Sequence, residues 1–192
     1  MSTPAEPDLQ FSRLRVSDRC CELFVSRGSV DVTIAELAAA ADISQRTFHR
    51  YFPFKAESVG PTFDAMIRRS NNVIAEADED RPLAAVLREA FSASLLDAAT
   101  DRTRRLFPLV FGDREMWAVF LRKLHDGERS VAPILAPRLR APEDSLSARA
   151  AAAAVASAIR IALEVMVTTG ADPATTYAEL LDEFTPSVLQ RR

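Results

Sequence analysis

The chain has 192 residues, of which 48% are hydrophobic and 27% are charged, and its formal net charge is −3. This composition is that of an ordinary globular protein with one larger or two small domains. The negative balance excludes a generally basic coat for nucleic acid, so any DNA affinity must come from a local patch. The two cysteines, Cys20 and Cys21, are adjacent and have no companion metal ligands, which predicts a reduced, cytoplasmic chain without a metal site.

The first segment, residues 1–12, begins with MSTPAEPDLQ and is predicted to be a disordered arm. It has no apolar core beside basic residues, so a signal peptide is not expected. A first helix is predicted over Arg13–Arg27, with Val16 and Phe24 on its apolar face and Gly28 just past its end. This helix should support the segment that follows it.

Residues 33–52 predict a helix-turn-helix. Thr33 and Glu36 have the spacing of a capping box, in which each residue caps the backbone of the other, so a helix begins after Thr33. Asp42 tolerates a left-handed turn, and Ser44 can cap a second helix immediately afterwards. Two short helices joined by almost no linker are the expected result.

The second of these helices has the side chains that a DNA-reading helix needs. From residue 43 to residue 56 there is no acidic residue, whereas Arg46, Arg50 and Lys55 are basic. Arginine pairs with guanine and glutamine with adenine in the major groove, although exposed helices also carry arginines for solubility alone. We predict that Gln45, Arg46 and Arg50 contact bases. The full set of predicted DNA contacts is Thr33, Ser44, Gln45, Arg46, Thr47, His49, Arg50 and Lys55.

The pattern over residues 14–59 resembles the N-terminal domain of the TetR family of transcriptional repressors. Three positions depart from that family: Asp42 replaces the usual turn glycine, His49 replaces a tyrosine that commonly contacts phosphate, and Phe54 replaces a small polar residue that caps the next helix. The resemblance implies a dimeric DNA-binding repressor in which the hydroxyls at the two helix starts also contact phosphates. The matching positions are Cys20, Leu23, Phe24, Gly28, Thr33, Leu37, Ala38, Ile43, Ser44, Thr47, Phe52 and Lys55.

The remaining residues, 60–192, have apolar residues at helical spacing and no strand pattern. The fold class predicted is therefore all-α, with a helix-turn-helix domain over residues 13–59 and a helical effector-binding and dimerisation domain over residues 60–192. The window from Ala150 to Val167 is apolar enough for a membrane span. Arg160 and Glu164 interrupt it, which favours a buried helix of a soluble protein.

Aromatic and methionine side chains in the second half suggest a pocket for a small, mainly apolar effector. The alternative is that such a stripe at helical spacing forms ordinary core, and that a lone histidine is simply solvated. A regulator of the same fold that responds to a protein partner, or to no ligand, is the corresponding alternative function. The predicted pocket residues are Phe107, Phe111, Met116, Trp117, Phe120 and His125.

The last two helices, expected over Ser145–Thr169 and Ala174–Leu189, predict a two-fold dimer. Such a dimer places two helix-turn-helix domains, which we call the reading heads, on a palindromic operator. No nucleophile-base pair, phosphate loop or metal cluster is recognisable in the sequence, so neither an enzyme nor a cofactor is expected. The predicted interface residues are Ala156, Ile159, Leu163, Tyr177, Leu181 and Phe184.

Overall fold

A computed structural model describes the backbone of residues 6–95 and 99–184, and the side chains of residues 12–95 and 101–184. Within these ranges every regular element is helical, which confirms the all-α prediction. Short 3-10 helices occur at Lys55–Val59 and Pro137–Leu139. The α-helices are α1 Glu6–Arg27, α2 Ile34–Ala40, α3 Gln45–Tyr51, α4 Gly60–Glu76, α5 Leu83–Leu95, α6 Ala99–Gly112, α7 Arg114–Leu135, α8 Leu146–Thr169 and α9 Pro173–Phe184.

The two ends of the described chain differ from the expected boundaries. Helix α1 begins at Glu6, so the prediction of a disordered arm is wrong for residues 6–12. Proline, here at position 7, suits the first turn of a helix because it lacks an N–H that the helix could not use there. Residues 1–5, and residues 185–189 of the last predicted helix, lie outside the described residues.

The described residues form two compact units. One contains the residues up to Ala65 together with Asp101–Leu121, and the other contains those of Met66–Thr100 and those from Arg122 on. Helix α6 and the start of α7 therefore group with the helix-turn-helix. This structural grouping differs from the predicted segments 13–59 and 60–192, whose functional division stays a prediction.

In the first unit, α6 is joined to α1 by polar side chains. The guanidinium of Arg102 lies 3.1 Å from the carboxylate of Asp18, and Arg105 donates to the backbone oxygen of Val25 at 2.9 Å. The hydroxyl of Thr62, in the first turns of α4, is 2.8 Å from that of Ser17 on α1. These contacts hold α1, the start of α4 and α6 together in the unit that contains the helix-turn-helix.

The two cysteines lie inside this first unit. Both thiols are free and buried, and burial raises the pKa of Cys20 to about 12 and that of Cys21 to about 11. A thiol is a nucleophile only as the thiolate, so neither residue is reactive in the folded chain near neutral pH.

The second unit has its own core, in which α8 packs on α9. The rings of Phe91 and Tyr177 stack with centroids 4.2 Å apart, and the buried side of α8 is made of small residues such as Ala158 and Ala162. Buried Arg138 donates to the backbone oxygens of Ala77 and Asp78, at the end of α4. By length and composition alone α8 could span a membrane, but its alanine face is buried in the fold, which is the pattern of a core helix.

Candidate nucleic-acid interface

The first helix of the helix-turn-helix, α2, begins at the predicted capping box. The hydroxyl of Thr33 accepts from the backbone N–H of Glu36 at 3.2 Å, and the Glu36 carboxylate accepts from the Thr33 N–H at 2.8 Å. The Thr33 hydroxyl also donates to that carboxylate at 2.9 Å, and Arg27 lies 3.1 Å from it. The backbone hydrogen bond from Thr33, then its hydroxyl and the charge of Arg27, lowers the pKa of Glu36. A phosphate at Thr33 would therefore have to compete with Glu36.

The turn between α2 and α3 has the left-handed residue that the sequence predicted. Asp42 has a φ of 54°, and the next residue, Ile43, donates from its backbone to Ala38 at 2.9 Å. Ser44 then caps α3, because its hydroxyl accepts from the backbone N–H of Thr47 at 3.1 Å. Both helix starts are thus fixed by side chains of the motif itself.

One side of α3 is anchored in the core of the first unit. Phe48 and Phe52 are fully buried, with ring centroids 5.2 Å apart, and the guanidinium of Arg13 lies 5.7 Å from the centre of the Phe52 ring. Because α3 has only seven residues, these two anchors set the direction of all its remaining side chains. The buried rings therefore fix which side of α3 faces the core and which side faces solvent.

The outer face of α3 carries the predicted base-contacting groups. Gln45, Arg46, His49 and Arg50 are all exposed, and Thr47 is half-buried beside the cap. Tyr51, which sequence reasoning did not select, is half-buried at the last position, with the Arg50 guanidinium 5.3 Å above its ring. Its aromatic side chain beside a predicted base-contacting arginine was the signal that could have identified it.

The last predicted contact, Lys55, has a structural partner. Its amine donates to the backbone oxygen of Val30 at 2.9 Å and joins the 3-10 helix to the loop between α1 and α2. Phe54 precedes it, gives that helix no side-chain cap and is 68% exposed. Val30 is distant in sequence, so the pattern over residues 33–55 gave no indication of this bond.

The rings predicted to line an effector pocket pack against one another in the first unit. Centroids of Phe107, Phe111, Trp117 and Phe120 lie 4.5–5.6 Å from their neighbours, and Phe63 of α4 joins the group 5.7 Å from Phe107. Phe107 and Phe120 are buried, whereas Phe111 and Trp117 are half-buried. We call these five residues the aromatic cluster.

The other two predicted pocket residues take different positions. Met116 is fully buried in the first unit. His125 belongs to the second unit and is exposed, with its Nδ1 3.9 Å from the carboxylate of Glu128. The structure therefore assembles the four predicted rings and does not include His125 in their unit.

The residues predicted for the dimer interface lie mostly inside the single chain. Leu163, Tyr177 and Leu181 are fully buried, and the burial raises the pKa of the Tyr177 hydroxyl. Ala156 is buried, whereas Ile159 and Phe184 are half-buried against the core of the second unit. The four buried side chains therefore contribute to the interior of the protomer itself.

Comparison with known proteins agrees with this geometry. Residues 18–57 match the family described as bacterial regulatory proteins, tetR family. A tetR-family transcriptional regulator from Streptomyces coelicolor shares the fold at a TM-score of 0.56 and 20% identity, covering 91% of this chain and 81% of that one. A structure assigned to the same family from Mesorhizobium loti has a TM-score of 0.58 at 14% identity, covering 93% and 96%.

No curated protein sequence matches the chain. At these identities the solved structures show the shared fold alone, and the family match covers the helix-turn-helix segment. Residues 18–57 accordingly form a helix-turn-helix segment of the tetR-family type, within a chain that has the all-α fold of two solved tetR-family regulators.

Proposed function

We propose that the protein is a cytoplasmic repressor that binds a palindromic operator as a two-fold dimer and is released by a small effector. The observation that carries the proposal is the outer face of α3, where Gln45, Arg46 and Arg50 project from a helix anchored by buried aromatic rings. Rigid presentation of a guanidinium or amide is what base-specific hydrogen bonding in the major groove needs.

The DNA contacts divide into two roles. Gln45, Arg46 and Arg50 specify bases. Phosphates are held by hydroxyl, imidazole and ammonium groups near the helix starts and at the start of the 3-10 helix, which position the head on the duplex. These phosphate contacts are Thr33, Ser44, Thr47, His49 and Lys55.

A selection of genomic DNA fragments with the purified full chain tests this proposal. It should recover an inverted repeat whose half-sites are roughly 10 bp apart, one helical turn. Arg46→Ala should then cost roughly 1–3 kcal/mol on the operator and relax specificity at one base position. Arg149→Ala, which removes an exposed arginine of α8, is the matched control and should leave binding unchanged. Equal losses on operator and random DNA for Arg46→Ala would contradict the base-reading role.

For the dimer we propose the side of α8 opposite its buried alanine face. Ala154, Ser157, Ile161 and Val165 are half-buried in the single chain and recur at helical spacing. Small side chains there would let a second copy of α8 approach closely across a two-fold axis, and the same surface would serve both protomers.

Charge substitutions can distinguish a dimer surface on this side of α8 from the core of the protomer. Ile161→Glu should convert the dimer to a monomer in sedimentation and abolish operator binding, whereas Arg149→Glu changes charge on another side of the helix and should do neither. A charge at Leu181 cannot make the same test, because Leu181 is buried within its own chain. A wild-type chain that sediments as a monomer at micromolar concentration would overturn the dimer.

The effector is proposed to bind at the half-buried edge of the aromatic cluster formed by Phe111 and Trp117. This edge lies in the same compact unit as the helix-turn-helix, so a ligand that moves it can affect the reading head directly. Coupling between two such sites is typically about 1–3 kcal/mol and is reciprocal, so the effector and operator weaken each other by the same factor.

The alternative is a regulator that responds to a protein partner or to no ligand. The packing of the aromatic cluster favours this alternative, because its rings already contact one another where a ligand would have to contact them. Trp117 is the only tryptophan of the chain, so its fluorescence reports on this site alone. A small-molecule screen should change both that fluorescence and operator affinity if the effector proposal holds. Ligands that bind without altering operator affinity would favour the alternative.

A further inference from the structure

Phe54 is an exposed aromatic side chain that follows α3, the helix proposed to contact bases. It lies between two residues that are fixed in the core, since Phe52 is fully buried and Ala56 is nearly so. The intervening segment turns outward, which leaves Pro53 exposed and the Phe54 ring 68% exposed. The backbone at Phe54 is therefore held between two buried positions.

The fold itself gains nothing that explains a phenylalanine here. Phe54 occupies the cap position of the 3-10 helix Lys55–Val59, with an extended backbone at φ −131° and ψ 157°, and its side chain makes no capping hydrogen bond. Serine or aspartate would satisfy a backbone N–H at this position, and either would avoid exposing an apolar ring to water. A residue that breaks a local rule without a structural gain is a candidate functional residue.

The surroundings of the ring favour DNA as its partner. No acidic residue occurs from residue 43 to residue 56, and α3 exposes Arg46 and Arg50 just before Phe54. The amine of Lys55, the next residue, also donates to the backbone oxygen of Val30, which ties the start of the 3-10 helix to the loop before α2. A single ring is not the contiguous apolar patch that a protein partner needs, whereas the deoxyribose of a DNA strand offers apolar C–H groups between phosphates.

We propose that Phe54 packs against the sugars of the operator backbone and is a sequence-independent contact of the reading head. This inference rests on the proposed DNA-binding function. An apolar contact of this kind displaces no counterion, so it should add affinity without changing the salt dependence of binding. It also contacts a group present in every sequence, so operator and random DNA should benefit equally.

The experiment compares full-length wild type, Phe54→Ser, Phe54→Leu and Leu121→Ser by fluorescence anisotropy on the operator duplex and on a random duplex of equal length, over a series of salt concentrations. Phe54→Ser should weaken both duplexes on the order of tenfold, with an unchanged salt slope. Its melting temperature should stay the same or rise, because serine restores the cap. Phe54→Leu should retain most of the affinity. Leu121→Ser removes another exposed apolar side chain, on α7, and should have no effect.

Several results would overturn the inference. Unchanged affinity of Phe54→Ser beside normal wild-type binding would remove Phe54 from the interface while leaving the proposed function intact. A loss confined to the operator would replace the sugar contact with a base contact. A fall in melting temperature would make the ring structural, and a loss of self-association in sedimentation would assign it to a second copy of the chain. Wild-type protein that binds no duplex would overturn the proposed function as well.

Discussion

Arg102 of α6 and Asp18 of α1 form an ion pair at 3.1 Å across 84 residues of sequence. The same carboxylate accepts a hydrogen bond from the hydroxyl of Thr62 at 3.3 Å, so one aspartate connects α1, α4 and α6. Helix α6 is thereby part of the unit that carries the reading helix. A movement of α6 would therefore act directly on α1 through this ion pair.

Removal of this ion pair should destabilise the first unit modestly. The two side chains are 28% and 37% exposed, so solvent screens the pair and Arg102→Ala should cost about 1 kcal/mol. Urea unfolding monitored by Trp117 fluorescence measures this loss of unfolding free energy, because Trp117 lies in the first unit. Arg102→Lys keeps the charge and should retain part of the stability, whereas a loss as large as that of a core truncation would show that the pair is effectively desolvated.

The sequence predicted those features of the site that depend on neighbours within a few residues. The caps at Thr33 and Ser44 are bonds to residues three positions away, so their spacing was visible in the chain. The partners of Lys55 and Arg102 are 25 and 84 residues distant, and no local pattern specifies them. The two sides of α8 are both rich in small apolar residues, so periodicity alone did not show that Leu163 faces its own protomer.

The stability of the helix-turn-helix should depend on the ionised form of Glu36. Its pKa is lowered in the folded chain, chiefly by the hydrogen bond from the Thr33 backbone. The stabilisation is therefore present above the unfolded pKa of about 4.5 and is lost as the pH falls through the lower folded value. The difference in urea midpoint between wild type and Glu36→Gln should be largest near pH 7 and shrink below about pH 4. A difference independent of pH would mean that the amide and the carboxylate cap α2 equally.

The left-handed turn at Asp42 offers a stabilising substitution. Its φ of 54° strains a residue with a Cβ, and glycine removes that strain. Asp42→Gly should raise the free energy of unfolding by about 0.5–1 kcal/mol, measured by urea unfolding. Asp42→Ala removes the same carboxylate but keeps the Cβ, so it should give no gain. Equal stabilisation by both variants would attribute the effect to charge and not to the backbone.

Leu181 should behave as a residue of the protomer core. It is fully buried with Tyr177 in the core of the second unit, so Leu181→Ala should leave a cavity and cost about 2–5 kcal/mol in urea unfolding followed by circular dichroism. The adjacent Leu180 is only half-buried, and Leu180→Ala should cost less. Because the lost contacts are within one chain, the unfolding midpoint of Leu181→Ala should be lowered by the same amount at low and high protein concentration. A Leu181→Ala chain that keeps its stability but sediments as a monomer would instead place this side chain against a partner.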